Sequence, residues 1–184
     1  MEHFYRNLGE NWFTYPNLYT SMVNKFGDGS HFVEVGTWKG MSAAYMAVEM
    51  INSNKKIKFD CVDTWEYMDI QSDIKKSLYG NLYETFLNNI EPVKDLIKPI
   101  KKLSWEAAEL YDDNSLDFVF IDAAHDYESV IKDIKAWYPK IKSGGVFAGH
   151  DYQTTETCGV KKAVDEILGE DNILSSEGCW IYNF

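Results

Sequence analysis

From residue 30 onward the sequence alternates short runs rich in β-branched residues with longer amphipathic stretches. Such an alternation predicts strands joined by crossover helices, which form a parallel sheet covered by helices on both faces. We predict strands at residues 31–35, 56–62, 97–101, 116–122, 145–149, 172–175 and 179–182. Apolar residues at three- and four-residue spacing predict helices at residues 17–26, 41–52, 82–89, 105–111, 127–140 and 160–168. The chain is therefore expected to be an α/β protein, with its first helix packed across the sheet.

The last two predicted strands are separated only by Ser176, Glu177 and Gly178. This connection is too short for a parallel crossover, so the two strands should form an antiparallel hairpin. A dinucleotide-binding fold usually has six parallel strands, whereas this sheet ends with a seventh, antiparallel one. No linker or repeat interrupts the pattern, and 184 residues is the length of one domain. We expect a single domain over residues 1–184.

The segment from Phe32 to Ser42 has the pattern of an apolar strand, a turn with two glycines and the start of a helix. Such a turn lies at the carboxyl edge of a parallel sheet, where these sheets bind ligands. Gly36 lets the backbone approach a ligand, and Gly40 allows close packing or a positive φ as the helix starts. Backbone N–H groups there, with Ser42, can bind a carboxylate. Trp38 replaces the second glycine of a dinucleotide motif, which indicates a ligand without a pyrophosphate; an ordinary tight turn is the alternative.

Asp63 directly follows the second predicted strand, 27 positions after Gly36 and beside the same crevice. A carboxylate at this point can accept hydrogen bonds from both hydroxyls of a ribose. An isolated aspartate would instead be a helix cap or a solvated loop residue. Together with the glycine loop, Asp63 favours the ribose role.

At these features the sequence resembles the class I S-adenosylmethionine-dependent methyltransferases, over residues 30–184. The likeness lies in the glycine loop, the acidic end of strand two, the segment after strand three where the family contacts adenine, the fourth-strand motif and the turn before strand five. In the same order, these five features are residues 34–40, Val62-Asp63, Leu103-Ser104-Trp105, 118–122 and 142–145. The resemblance implies a Rossmann-like, doubly wound, seven-stranded sheet of order 3-2-1-4-5-7-6, with strand 7 antiparallel.

The resemblance also implies S-adenosylmethionine as the cofactor. Gly36, Ser42 and Asp63 would hold its methionine carboxylate and ribose, and Asp122 would face its amino group or a metal ion. The full set of expected cofactor-binding residues is Glu34, Gly36, Thr37, Trp38, Gly40, Ser42, Asp63, Ser104, Trp105 and Asp122.

Within the superfamily the chain most resembles small-molecule O-methyltransferases of the catechol type and a related sugar and macrolide group. In catechol-type relatives, carboxylates that end strands four and five and an adjacent asparagine bind Mg²⁺. Asp122 and Asp151 match the two carboxylates, whereas Tyr152 replaces the asparagine. The resemblance thus implies a magnesium site at Asp122 and Asp151 without its third ligand.

His125 stands where those relatives place a catalytic lysine. Its imidazole has a near-neutral pKa, which suits a base that takes the acceptor's proton. The alternative is a helix cap or a structural hydrogen bond to Asp151. We expect Asp122, His125 and Asp151 to carry the chemistry, whereas His150 points either into the core or into the crevice.

Aromatic residues are frequent in two segments, an N-terminal cap at residues 1–29 and a long connection at residues 64–95. Long connections are often functional covers, so we expect both segments to roof the acceptor pocket. The alternative is that the aromatic rings fill the core beneath the helices. The residues concerned are Trp12, Phe13, Tyr15, Trp65, Tyr67, Tyr79, Tyr83 and Phe86.

The net charge, the length of the apolar runs and the spacing of the cysteines narrow the possible classes of function further. A net charge of −11 would repel a nucleic-acid backbone. The apolar runs are far shorter than the roughly 20 residues that cross a bilayer. Cys61, Cys158 and Cys179 lack the spacing of a disulfide or zinc framework. We expect a cytoplasmic enzyme with a small-molecule acceptor and no nucleic-acid or membrane partner; a homodimer is left open.

Two other functions compete with the methyltransferase. One is a small nicotinamide-dependent oxidoreductase that uses Asp63 for its ribose, against which Trp38 and the terminal hairpin argue. The other is a non-catalytic module that binds S-adenosylmethionine. Amide and nucleobase methyltransferases of the superfamily often carry an Asn-Pro-Pro-Tyr-like motif after strand four, and this sequence has none. The resemblance therefore favours a hydroxyl oxygen, of a sugar or a phenol, as the methyl acceptor.

Overall fold

Strands and helices alternate along the computed structural model, which describes residues 1–9, 11–66, 80–153, 155 and 158–184. The strands are β1 (His31–Val35), β2 (Lys58–Asp63), β3 (Ile97–Lys101), β4 (Leu116–Ile121), β5 (Ile141–Gly149), β6 (Leu174–Ser176) and β7 (Cys179–Asn183). The α-helices are α1 (Pro16–Lys25), α2 (Met41–Ser53), α3 (Leu82–Ile90), α4 (Ser104–Ala108), α5 (Tyr127–Trp137) and α6 (Val160–Leu168). Within these described ranges, no helix is both long and apolar enough to cross a membrane.

The strands form one seven-stranded sheet in the order β3-β2-β1-β4-β5-β7-β6. The first five strands pair in parallel. Strand β7 pairs antiparallel with both β5 and β6. The predicted order and the predicted terminal hairpin are confirmed. Only Glu177 and Gly178 separate β6 from β7, which is too short a connection for a parallel crossover.

Successive side chains of each strand enter two cores on opposite faces of the sheet. On β1, Phe32 packs into the core beneath α1 and α2. Val33 and Val35 pack into the core beneath α5 and α6. Full burial of side chains of this size stabilises the fold by about 1.5–3 kcal/mol each. By the same alternation, Glu34 lies on the α1 and α2 side.

The N-terminal segment packs its aromatic rings onto that same face. Tyr19 of α1 meets Phe120 of β4 at a ring-centroid distance of 5.2 Å. Tyr15, just before α1, lies 4.6 Å from the same Phe120 ring. The predicted packing of the first helix across the sheet is confirmed, and it brings residues 13–19 close to the ends of β1 and β4.

Two predicted boundaries were wrong around residue 140. The helix predicted at residues 127–140 ends at Trp137 and continues as a 3-10 turn, Tyr138–Lys140. Pro139 has no N–H to donate and its ring crowds the preceding turn, so the α-helix cannot continue through it. Strand β5 then begins at Ile141 rather than at residue 145.

Two other elements are shorter than predicted. The helix predicted at residues 105–111 covers only Ser104–Ala108, and Tyr111 beyond it turns inward to donate a hydrogen bond to Asp60. The strand predicted from residue 172 begins at Leu174, because Glu170–Asn172 form a 3-10 turn. In both places a local turn shortens the regular element, after the helix in the first case and before the strand in the second.

Candidate active site

The turn after β1 is held between the two neighbouring strands. The N–H of Gly36 donates to the Val62 carbonyl over 2.8 Å, and the N–H of Asp122 donates to the Val35 carbonyl over 2.7 Å. A Cβ placed on Gly36, which has a φ of 86°, would lie 2.0 Å from the Asp122 carbonyl oxygen. The sequence analysis gives one reason for glycine here, the approach of a ligand to the backbone. The structure shows a more immediate reason, because the chain leaving β4 passes too close for any side chain at residue 36.

Gly40 starts α2 in the left-handed region, with a φ of 80°. A Cβ there would lie 2.9 Å from the Phe86 ring of α3, so the predicted need for close packing and a positive φ is confirmed. No side chain of the described residues caps α2, and the first N–H groups of a helix have no intrahelical acceptor. The start of α2 therefore presents backbone donors at the carboxyl edge of the sheet.

Asp63 ends β2 and binds the glycine loop directly. Its Oδ2 accepts the N–H of Trp38 at 2.8 Å, and its Oδ1 accepts the N–H of Trp65 at 2.7 Å. Burial raises the pKa of Asp63 and outweighs these backbone donors, which lower it. The N–H groups of Thr37 and Thr64 act on the same carboxylate, and a carboxylate oxygen that accepts one hydrogen bond has a second lone pair for another donor.

Thr37 and Trp38 form the tip of the loop. Thr37 is buried, and its Oγ1 has no hydrogen-bond partner among the described residues. Trp38 has a φ of 43°, and its ring meets the Trp12 ring edge-on at 6.3 Å. The Lys39 ammonium lies 4.3 Å from the centre of the Trp38 ring. Trp12 is 65% exposed, so one indole at this rim faces solvent.

Glu34 and Ser42 meet beneath the loop, out of solvent. The Ser42 hydroxyl is hydrogen-bonded to Oε1 of Glu34, whose side chain is almost fully buried. Burial raises the pKa of Glu34 to about 8; the hydroxyls of Ser42 and Tyr19 lower it, and the carboxylates of Asp122 and Asp63 raise it. At neutral pH the Glu34 carboxyl therefore mostly carries a proton.

Ser104 and Trp105, the predicted adenine contacts, start α4. The Ser104 hydroxyl accepts the Trp137 indole N–H at 3.0 Å and interacts with the buried Asp133 carboxyl. Trp105 is 37% exposed, with the Lys132 ammonium 5.2 Å from its ring centre. The Ser104 side chain is thus engaged with α5, whereas the Trp105 ring stays accessible.

Asp122, His125 and Asp151 come together where the chain leaves β4 and β5. The Nε2 of His125 lies 3.0 Å from Asp151 Oδ2 and 3.6 Å from Asp122 Oδ1. One ligand-type atom from each of the three residues lies within 4.8 Å of the other two. The structure thus brings these three residues together.

The electrostatics of this cluster fix the charge of His125. Hydrogen bonds to Asp122 and Asp151 raise the pKa of His125 to about 10, although burial opposes the shift. The same contacts, with those of His150, hold the pKa of Asp151 far below its usual range. In the free protein His125 is therefore an imidazolium at neutral pH, and it must lose a proton before it can act as the predicted base.

Two more residues complete the cluster: Tyr15, which was expected in the roof of the pocket, and His150, which was left open between the core and the crevice. The Tyr15 hydroxyl donates to Asp122 Oδ2 at 2.9 Å. The Nδ1 of His150 lies 3.5 Å from Asp151 Oδ2, and its Nε2 lies 3.1 Å from the Thr14 hydroxyl. Burial lowers the pKa of His150, but Asp151 and Asp122 overcome this effect and raise it overall. His150 therefore points into the crevice, and the segment before α1 contributes polar groups to the site.

Tyr152, in the place of the family's asparagine, turns away from the cluster. Its hydroxyl donates to Asp165 of α6, and the Lys161 ammonium lies 4.8 Å from its ring centre. His125 offers the third ligand-type atom instead. A small pocket beside the cluster is lined by Asp122, His125, His150, Val160 and Trp180.

The aromatic rings expected to roof the pocket mostly fill the core. Trp65 is 3% exposed, lies 4.6 Å from the Phe86 ring, and donates its indole N–H to the Trp38 carbonyl. Phe13 and Tyr15 are buried as well. Tyr67 and Tyr79 lie outside the described residues. Of the described aromatic residues in this set, Trp12 has the exposure that a roof requires.

Comparison with known proteins agrees with this geometry. Residues 33–152 match the family model described as a methyltransferase domain. The chain belongs to this family, whose members take their methyl group from S-adenosylmethionine. Membership of this family and the antiparallel seventh strand argue against the alternative of a nicotinamide-dependent oxidoreductase.

Two curated relatives share parts of the sequence. An uncharacterized protein of Sinorhizobium fredii is 26% identical over 125 residues, which are 67% of this chain and 13% of that protein. An uncharacterized protein of Acanthamoeba polyphaga mimivirus is 28% identical over 175 residues, which are 89% of this chain and 71% of that protein. The matched region thus spans about an eighth of the first relative and most of the second.

Solved structures share the fold at low sequence identity. The O-methyltransferase NovP has a TM-score of 0.68 and 17% identity, over 91% of this chain and 78% of that one. A TDP-rhamnose 3′-O-methyltransferase of calicheamicin biosynthesis has a TM-score of 0.61 and 13% identity, over 92% and 76%. These likenesses establish the methyltransferase fold.

Proposed function

We propose that this protein is an S-adenosylmethionine-dependent O-methyltransferase whose acceptor is a small hydroxylated molecule, such as a sugar or a phenol. One observation carries the proposal. Asp63 and the glycine loop share one edge of the sheet with the cluster of Asp122, His125 and Asp151. Methyl transfer needs the acceptor oxygen, the methyl carbon and the leaving sulfur in line, and two sites at neighbouring strand ends suit that requirement.

On the cofactor side, the residues present fit the expected group. Each oxygen of Asp63 accepts one backbone N–H and can take one ribose hydroxyl as well. The backbone donors at the start of α2, with Ser42, suit the methionine carboxylate, and Asp122 suits the ammonium group. S-adenosylmethionine would supply a methyl group activated by its sulfonium. Because Ser104 is engaged with Trp137, contact with adenine falls to the Trp105 ring or to the backbone beside it.

On the acceptor side, the residues present also fit one divalent cation. Asp122 and Asp151 provide the carboxylate oxygens that Mg²⁺ prefers, and His125 provides a nitrogen within the same 4.8 Å. A bound ion of this kind lowers the pKa of a hydroxyl that it coordinates. Without an ion, His125 stays an imidazolium that can orient the acceptor oxygen, and it becomes a base once its proton has left.

The acceptor class follows from the rim of the site and from the structural neighbours. The indole rings of Trp12 and Trp38 stand side by side at the glycine loop, and indole faces stack well on flat or apolar ring surfaces. One neighbour is an O-methyltransferase of TDP-rhamnose. Both observations favour a ring-shaped acceptor, and the neighbour points to a sugar.

The proposal is tested by a methyl-transfer assay. Labelled S-adenosylmethionine is incubated with the protein and a panel of free sugars, nucleotide-linked sugars and phenols. We expect a labelled ether product with at least one acceptor. Asp151→Asn should lower the rate by about a hundredfold or more, because it removes a charge from the cluster. Asp126→Asn is the matched control: Asp126 caps α5 outside the cluster, and asparagine caps a helix as well as aspartate does.

The same assay in EDTA separates the two ways of activating the acceptor. Loss of transfer in EDTA, restored by Mg²⁺, assigns Asp122 and Asp151 to a metal. Full transfer in EDTA leaves His125 as the base. If the protein binds S-adenosylhomocysteine but transfers no methyl group to any member of the panel, the non-catalytic module becomes the better account.

A further inference from the structure

Glu34 is the most deeply buried carboxyl group near the proposed cofactor site. It is 1% exposed, and its Oε1 contacts the Ser42 hydroxyl. Its Oε2 faces the Tyr19 hydroxyl, and neither atom has a hydrogen-bond partner elsewhere among the described residues. A buried carboxyl whose only partners are hydroxyl groups is costly as an anion and much less costly as a neutral acid.

Among the described residues, the groups that act most strongly on Glu34 include no positive charge. The groups that act on it come from α1, α2, β2 and β4, and each of them is neutral or acidic. They are Tyr19, Ser42, Asp63 and Asp122, together with Cys61, whose thiol Glu34 acts on in turn. Because several carboxylates lie near it and no cation is among these groups, Glu34 retains its proton more readily than an exposed glutamate does.

Ser42 joins this buried acid to the start of α2, where the methionine carboxylate is expected to bind. A serine hydroxyl has one proton to donate and two lone pairs to accept with. If Glu34 is ionised, the Ser42 proton must point at Glu34, and an incoming carboxylate meets oxygen lone pairs with a buried negative charge behind them. If Glu34 is protonated, it can donate to Ser42 and leave the Ser42 proton for the ligand.

We propose that Glu34 is a positioning residue: it keeps a proton in the free protein and donates it to Ser42, so that Ser42 donates to the carboxylate of the methyl donor. This inference rests on the proposed function. The hydrogen bonds from Glu34 to Ser42 and from Ser42 to the ligand carboxylate then run in one direction. This direction is lost when Glu34 ionises. Affinity for the cofactor should therefore fall as the pH rises past the point at which Glu34 loses its proton.

The test is calorimetric titration of S-adenosylhomocysteine into the protein at pH 7 and pH 9, in EDTA so that no ion sits at Asp122. If only the protonated form of Glu34 binds well, the dissociation constant rises about tenfold between these values, because the competent fraction falls by that factor around a pKa of about 8. In Glu34→Gln the amide donates to Ser42 at both values, so this rise should disappear.

Three further variants separate positioning from structure. Glu34→Ala should bind more weakly than Glu34→Gln at pH 7, because only the amide replaces the donor. Ser42→Ala should bind weakly and lose the tenfold rise as well. Glu109→Gln, on the exposed turn after α4, should show the same rise as the wild type. Titration of the cofactor's own amino group is common to all variants and cancels in the comparison.

A measurement on the wild type alone guards against a variant that does not fold. In NMR of protein labelled with ¹³C-glutamate, one carboxyl resonance should titrate near pH 8, while exposed glutamates titrate near their ordinary value of about 4.3. The inference is overturned if no glutamate titrates above pH 6, or if Glu34→Gln shows the same rise as the wild type. Absence of any binding by the wild type overturns the proposed function itself, which is a different result.

Discussion

A methyl group added at Gly36 would lie 2.0 Å from the Asp122 carbonyl oxygen, far inside van der Waals contact. The oxygen belongs to the backbone and the backbone fixes the position of the Cβ, so no side chain can turn aside to relieve the overlap. Gly36→Ala should therefore destabilise the fold by more than about 3 kcal/mol, from the clash and the positive φ together. Urea denaturation followed by circular dichroism measures this loss.

Gly29→Ala is the matched control for Gly36→Ala. Gly29 has a similar φ of 81°, but a Cβ there would meet nothing within 4 Å. Its replacement should cost only about 1–2 kcal/mol, from backbone conformation alone. Equal losses in the two variants would contradict the view that the chain leaving β4 requires a glycine at residue 36.

Some site residues could be predicted from sequence because they directly follow strands. Asp63, Asp122 and Asp151 each end a strand or follow one, and the carboxyl ends of parallel strands meet at one edge. The contacts of Tyr15 with Asp122 and of Ser42 with Glu34 could not be predicted in this way. They depend on how α1 and α2 lie across the sheet, and helical periodicity gives the buried face of a helix but not its neighbours.

The segment before α1 should matter to catalysis as well as to packing. Tyr15→Phe removes the hydroxyl that donates to Asp122 and keeps the ring that packs on Phe120. A hydrogen bond to a charged group contributes about 1.5–3 kcal/mol, so we expect a comparable loss of stability. We also expect the methyl-transfer rate to fall about tenfold, because Asp122 loses the group that orients it.

Tyr111→Phe provides the control for that variant. The Tyr111 hydroxyl donates to Asp60 over 2.8 Å, which is the same chemistry at a carboxylate of β2 outside the site. Its loss should lower the free energy of unfolding by a similar amount and leave methyl transfer unchanged. If both variants lose activity in proportion to stability, Tyr15 acts through the fold alone.

The ends of helices and strands were predicted well where short connections fix them. They were predicted less well where a local turn sets the end of the element. The hairpin of β6 and β7 follows from a short connection, and α6 was predicted with its observed ends. Helix α5 was predicted three residues too long because Pro139 was not treated as a stop. Helix α4 was predicted too long because Tyr111 is apolar in pattern but turns inward to reach Asp60.

The sheet order places the proposed cofactor half and the proposed acceptor half of the site on adjacent strands. Strands β1 and β2 carry the glycine loop and Asp63, whereas β4 and β5 lead to Asp122 and Asp151. The chain has a net charge of −11, and a methyl donor with a sulfonium and an ammonium group is attracted to such a surface. After transfer the sulfonium charge is gone, which favours departure of the product.

Binding of S-adenosylhomocysteine by isothermal titration calorimetry tests the central claim most directly. The account predicts a dissociation constant in the micromolar range for the wild type. For Asp63→Ala it predicts a value at least about tenfold higher, because hydrogen bonds to a carboxylate are lost. Asp112→Ala, in an exposed loop, should bind as the wild type does. A folded wild-type protein that gives no binding heat, or an Asp63→Ala variant that binds equally well, would contradict the account.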